Sequence, residues 1–393
     1  MSIIREKLDQ AISLLNEQTL DCWVTFVRET SAVHDPALDL LLGFGLTWDS
    51  ALIITRGGAK IAIAGRFDAS NIRELGVYDE VIAYDQGIAT HLRERLSRLN
   101  PSTIALNYSL SDPGSDGLTF GMYARLSQML AGTPFASSFV SAEPIARRLR
   151  ERKTPTEVER IRRVTQITQQ VYADLFAASV RGMSEKQIHV LAGELIAQHG
   201  CDFGWERVND PIVNAGPNSS IGHGIPGDLT VEPGQLLHID MGLRLDGYCS
   251  DLQRMAYVRR DSDDAVPTEV TRAWRACWDA LEAGRAALKP GALAWQVDAA
   301  ARAELVRQGY PEYMHAFGHH VGMNAHDGGS VLGPRWERYG DLPNKPVEEA
   351  NVFALELGTM VDAVGYIGIE ETVLVTSSGA EYISTPQREL VVL

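Results

Sequence analysis

Residues 234–258 read GQLLHIDMGLRLDGYCSDLQRMAYV, and residues 351–375 read NVFALELGTMVDAVGYIGIEETVLV. Each runs through an apolar, strand-like segment into acid-x-Gly, then Gly-Tyr, then a second acid. The shared order reads as an internal duplication. Each copy is expected to fold as an antiparallel hairpin with an acid on either arm: Asp240 and Asp251 in the first, Glu356 and Glu370 in the second. Side chains two apart on a strand share a face. Asp240 therefore lies with Leu236 and His238, and Glu356 with Val352 and Ala354. A carboxylate buried among apolar groups is strongly unfavourable without a partner, and four converging carboxylates would repel one another. Divalent cations answer both problems at once.

Between the two copies, residues 315–329 read HAFGHHVGMNAHDGG and place His315, His319, His320 and His326 within twelve positions. Neither a hydrophobic core nor a solvated face calls for such a run of imidazoles. Four carboxylates with one imidazole suit a pair of hard-to-borderline divalent ions, bridged by carboxylates. Taken singly, each residue has an ordinary reading: a strand Asp before Gly is commonly a turn acid, and Glu370 or Glu371 could be half of a surface pair. The matched hairpins with a His-Gly cluster between them carry the metal reading. His238 reads as either a partner of the site or a satisfied core histidine. Tyr248 and Tyr366, which follow glycines at equivalent places, read as core.

The rest of the chain is that of an ordinary globular protein. Its 393 residues are 45% hydrophobic and 22% charged, with a net charge of -15. The acidic balance and the lack of a long basic run argue against a nucleic-acid partner. Ile4, Leu8, Ile12 and Leu15 have the spacing of an amphipathic helix rather than of a signal peptide. No segment approaches the roughly 18 uninterrupted apolar residues of a membrane span. Cys22, Cys201, Cys249 and Cys277 are too scattered for a disulfide framework or a CxxC knuckle, and the cytoplasm is the expected compartment.

Short β-rich runs at 21–27, 51–55, 60–65 and 103–108 alternate with helical spacing at 91–99 and 118–131, predicting a small α/β domain over residues 1–150. Thr154, Pro155 and Glu157 then read as N-cap, first helical residue and capping-box partner of a long helix that opens a second domain, 151–393. Ser184 with Gln187 starts another helix, and Gly200 stops it. Two further helices are expected near 267–287 and 292–308.

The order HGIP (223–226), IDMG (239–242), SDLQR (250–254), GHHVGMNAHD (318–327), ALELG (354–358) and IEETVLV (369–375) resembles the metallopeptidases of the pita-bread fold, the group of prolidase, aminopeptidase P, methionine aminopeptidase and the metal-free creatinase. The resemblance spans nearly the whole chain. The N-terminal α/β domain is similar to the one shared by prolidase, aminopeptidase P and creatinase and lacking in methionine aminopeptidase. It implies an α+β architecture: a C-terminal pita-bread domain with duplicated hairpins, preceded by the smaller α/β domain.

Carried to these residues, the resemblance implies that Asp240 chelates one metal, that Asp251 and Glu370 bridge two, and that His319 and Glu356 complete the second. His223 and His326 match the two histidines that face substrate without binding metal, and Glu356 matches the proton shuttle to the leaving nitrogen. The implied reaction is hydrolysis of Xaa-Pro dipeptides by a hydroxide bridging two divalent ions. Manganese is the expected metal, with cobalt and zinc as alternatives, and a homodimer is the expected assembly. Aminopeptidase P activity on longer Xaa-Pro peptides is the alternative within the group. A creatinase-like hydrolase of a non-peptide C–N bond, or a pseudoenzyme, is the alternative outside it. The chain departs from the group where an arginine commonly holds the substrate carboxylate: Ser330 stands four residues after His326, and Gly368 two before Glu370. A long Gly- and Pro-rich loop follows, and its Arg335 and Arg338 are the candidates for that carboxylate.

Overall fold

The Thr154 side chain accepts a hydrogen bond from Glu157 N while the Glu157 carboxylate accepts from Thr154 N, so the helix Pro155–Ala177 begins at the predicted capping box. Ser184 and Gln187 start the helix Glu185–Gln198 in the same way. The computed structural model describes residues 3–178, 180–222 and 224–393, which divide into two compact units, Met1–Arg150 and Glu151–Leu393.

The first unit is built on a six-stranded mixed sheet in the order Glu80–Tyr84, Lys60–Gly65, Ser50–Thr55, Cys22–Val27, Ile104–Leu106, Phe139–Ser141. Its central strands Cys22–Val27 and Ser50–Thr55 are buried along their whole length, and helices pack over them, as the continuous apolar runs of these strands require.

The second unit is two similar halves. In one, the strands Leu236–Met241 and Leu252–Tyr257 pair antiparallel, flanked by Ile212–Ala215 and Val391–Val392, and pack against the helices Pro155–Ala177 and Glu185–Gln198. In the other, Val352–Val361 and Gly365–Thr376 pair antiparallel, flanked by Gly318–His320 and Gly379–Tyr382, and pack against the helices Thr268–Ala287 and Ala294–Arg307. The repeated sequence pattern is thus a repeated structure, a hairpin backed by two helices. The halves are tied by Arg254, whose guanidinium donates to Glu370 O at 3.1 Å and to Glu371 Oε2 at 3.1 Å, and by Thr372, whose hydroxyl donates to Asp251 O at 3.2 Å. Among the described residues no helix is long and apolar enough to cross a membrane.

Candidate metal centre

Strand alternation sets the site. In the first hairpin Gln253 stands opposite Asp240 and Met255 opposite His238. In the second, Glu356 stands opposite Glu370, and His319 lies opposite Ala354, two residues from Glu356 on the same face. The donor atoms of Asp240, Asp251 and Glu370 all lie within 4.8 Å of one another, and so do those of Asp251, His319 and His326. His319 Nε2 is 3.7 Å from Asp251 Oδ2 and 3.8 Å from Glu370 Oε1. Tyr172 steadies the first hairpin from behind, its hydroxyl lying 3.0 Å from Ile239 O and 2.6 Å from Leu252 O.

The electrostatics of the cluster are those of acids lacking a counter-charge. Burial, together with the neighbouring carboxylates, pushes Asp240, Asp251 and Glu370 well above the usual range, and burial pushes Glu356 up to about 7. Asp240 Oδ1 and Glu370 Oε2 are buried without a hydrogen-bond partner. Buried polar atoms are rarely left so. Burial, helped by the adjacent His326, also holds His319 well below the usual histidine value, in the neutral form that can donate a lone pair to a metal. Converging carboxylates with two orphaned oxygens and a neutral imidazole fit divalent cations, and Asp251 belongs to both close sets.

The other expected residues fall in different places. His223 lies outside the described residues. His326 is exposed, with its ring centroid 4.1 Å from that of His319, so it is within reach of the cluster. Glu356 stands outside the two close sets but facing Glu370, and its charge contributes to raising Asp240 and Asp251. His320 points to the opposite face of its strand, against the Phe353 ring at 4.0 Å and the Ser330 hydroxyl at 2.9 Å. Arg335 stacks on Trp295 at 4.3 Å, and Arg338 lies over Trp336 and Tyr339 and donates to Met314 O. Both arginines are exposed, and the contacts found for them tie neither to the acids.

Several residues near the cluster went unread in the sequence. Gln253 donates to Glu356 Oε2 at 3.0 Å. Its place two residues after Asp251, on the same strand face, was the available signal. Lys153 pairs with Asp327 at 3.1 Å with both side chains buried, and Ser330 N donates to Glu151 Oε1 at 2.6 Å. This buried polar layer anchors the loop that follows His326. Its members are more than 170 residues apart in sequence, and nothing local announces the pairing.

The model of metallopeptidase family M24 matches residues 159–377, more than half of the protein. The chain belongs to metallopeptidase family M24. This M24 peptidase has the pita-bread fold, which it shares with solved prolidases and X-Pro aminopeptidases. It is 28% identical over 254 residues to the Xaa-Pro dipeptidase of Pyrococcus furiosus, an alignment covering 64% of this chain and 68% of that protein. Its fold is similar to that of an Xaa-Pro dipeptidase from Bacillus anthracis, with TM-score 0.77, 21% identity and coverage of 99% and 100% of the two chains. It is likewise similar to the X-Pro aminopeptidase of Thermotoga maritima, with TM-score 0.73, 23% identity and coverage of 98% and 99%. Membership of the family implies divalent metal ions, which the acid cluster suits.

Proposed function

We propose that this M24 peptidase hydrolyses Xaa-Pro dipeptides with two divalent metal ions held by Asp240, Asp251, His319, Glu356 and Glu370. The observation that carries the reading is the convergence of Asp240, Asp251 and Glu370 from matched hairpins, with Glu356 facing Glu370 and two of the acids' oxygens buried without a partner. Such a pair of ions supplies Lewis acidity to a peptide carbonyl and acidifies water towards neutrality, so that no serine or cysteine nucleophile is needed.

The side chains supply the remaining steps. Glu356 Oε2 is engaged by Gln253, which leaves Oε1 as the atom that takes a proton from the attacking water and delivers it to the leaving nitrogen. His326, exposed beside His319, donates to the carbonyl oxygen as it gains negative charge. His223 takes the role of holding the substrate. The dipeptide preference is supported by the likeness to the Pyrococcus Xaa-Pro dipeptidase. Manganese is the metal proposed for this oxygen-rich set, and the cytoplasm, where thiols stay reduced, suits four free cysteines.

Metal analysis of the purified protein, paired with a panel of Xaa-Pro dipeptides, their C-terminal amides and Xaa-Pro-Xaa tripeptides, tests the proposal. The expected result is two divalent ions per chain, turnover of dipeptides, and weak turnover of amides. Faster cleavage of tripeptides would move the assignment to aminopeptidase P, and turnover of a non-peptide substrate without metal to a creatinase-like reaction. Bound metal with no hydrolysis of any of these peptides would sink the peptidase assignment.

A further inference from the structure

Beside the facing acids Glu356 and Glu370, the next pair on the same face of the second hairpin is Gly358 opposite Gly368. A Cβ at Gly358 would lie 2.1 Å from the Tyr366 hydroxyl, and one at Gly368 would lie 2.3 Å from Gln253 Oε1 and 2.6 Å from His238 Nε2. Neither glycine is in the left-handed region, so both serve to make room rather than to permit a turn. The room over Gly368 is filled by two polar side chains of the first hairpin, His238 and Gln253, only 5% and 7% exposed.

These two side chains form one hydrogen-bonded line that ends on the catalytic acid. Asn214 Nδ2 donates to Ser219 Oγ at 3.0 Å and to Ser220 O at 2.8 Å, which turns Asn214 Oδ1 towards His238 Nδ1 at 2.8 Å. The other ring nitrogen of His238 lies 2.9 Å from Gln253 Oε1, and Gln253 Nε2 donates to Glu356 Oε2 at 3.0 Å. Tyr366 stands edge-on to the His238 ring at 5.3 Å and 88°, closing the remaining side. A neutral imidazole has one N–H, and His238 orients the Gln253 amide in the tautomer that carries it on Nε2 and donates to Gln253 Oε1; Gln253 then cannot turn without releasing His238 or Glu356.

We infer that His238 and Gln253 are positioning residues: His238 orients the Gln253 amide, and the amide holds Glu356 in the one rotation that keeps Oε1 free to carry the proton. This rests on the reading of Glu356 as ligand and proton carrier. Among the described residues Gln253 is the side chain that donates to Glu356, so its loss frees the carboxylate to tilt, and displacement by an ångström at a reacting group costs on the order of 10²-fold in rate.

The test uses the full-length, metal-loaded enzyme and the variants Gln253→Met, His238→Phe and their combination. Gln253→Met keeps the side-chain length and removes the donor. It is expected to lower kcat about 10- to 100-fold, with KM within about twofold and both metals retained by atomic emission. A crystal structure of the variant is expected to show the Glu356 carboxylate rotated. His238→Phe should lower kcat less, His238→Gln should restore part of the loss, and the double variant should be no worse than Gln253→Met alone, because both residues act through one contact. If Gln253→Met does not fold, Gly368→Ala displaces the same amide from the other side and is expected to turn Glu356 likewise. Wild-type kcat in Gln253→Met, loss of metal, an unmoved Glu356, or losses that multiply in the double variant would each overturn the inference. The rotation is read without substrate, so it decides the positioning claim separately. A wild-type protein that binds no metal or cleaves no Xaa-Pro dipeptide would instead sink the reading of function.

Discussion

Asp251 is the residue on which the two close sets of donor atoms meet, Asp240 and Glu370 on one side, His319 and His326 on the other. Its removal leaves both sets short of an oxygen while the remaining acids still repel. Asp251→Ala is therefore expected to abolish peptidase activity and to lower bound metal below two ions per chain. His326→Ala is expected to behave in the opposite way, retaining metal and losing turnover, since its proposed task is to donate to the substrate oxygen. Metal content by atomic emission separates the two variants. Metal loss in His326→Ala would make His326 a ligand and reopen the place given to His319. Alternation made Asp240, Glu356 and their neighbours legible from the sequence, because a period of two fixes which side chains share a face. It could not show that Glu356 would meet Gln253, a contact across two hairpins 103 residues apart in sequence. Nearness in sequence to His326 also suggested a substrate role for Arg335 and Arg338, and their guanidinium groups lie over the rings of Trp295, Trp336 and Tyr339.

At the scale of elements, the hairpins bring four acids together in a place where each is easier to keep protonated than charged. Folded, metal-free protein therefore holds more protons than the unfolded chain once the pH passes the ordinary carboxyl range near 4, and its stability falls as pH rises towards the raised values, about 7 for Glu356. Bound divalent ions replace those protons and remove the penalty. The gap in Tm between metal-loaded and chelated protein should widen from pH 6 to pH 8, by about 1.4 kcal/mol of stability per pH unit for each proton displaced. Differential scanning calorimetry at the two pH values checks this, and a gap that is constant or narrows would mean the acids are not the metal site. The capped helix starts at Thr154 and Ser184 were legible because the capping pattern is local, three residues long and chemically specific. The Lys153–Asp327 pair was not, because a surface Lys and a buried one look the same in sequence.

For the whole molecule, the N-terminal unit has its own sheet and core and contributes none of the proposed metal ligands. Retention of such a unit in a peptidase calls for a role outside chemistry, and we propose pairing of subunits. A homodimer by light scattering at micromolar concentration is expected, and a fully active monomer would remove the rationale. Within the second unit, the two halves match in their acids but not in the positions beside them: His238 and Gln253 in the first correspond to Ala354 and Thr372 in the second. The duplication carries a historical consequence. A shorter ancestor with one hairpin could have gathered four carboxylates only by pairing with its own copy, around a two-fold axis, with both ends of the site alike. Joining the two copies in one chain would free them to differ, and here one half carries a histidine and a glutamine that reach across to an acid of the other, where the other half has an alanine and a threonine.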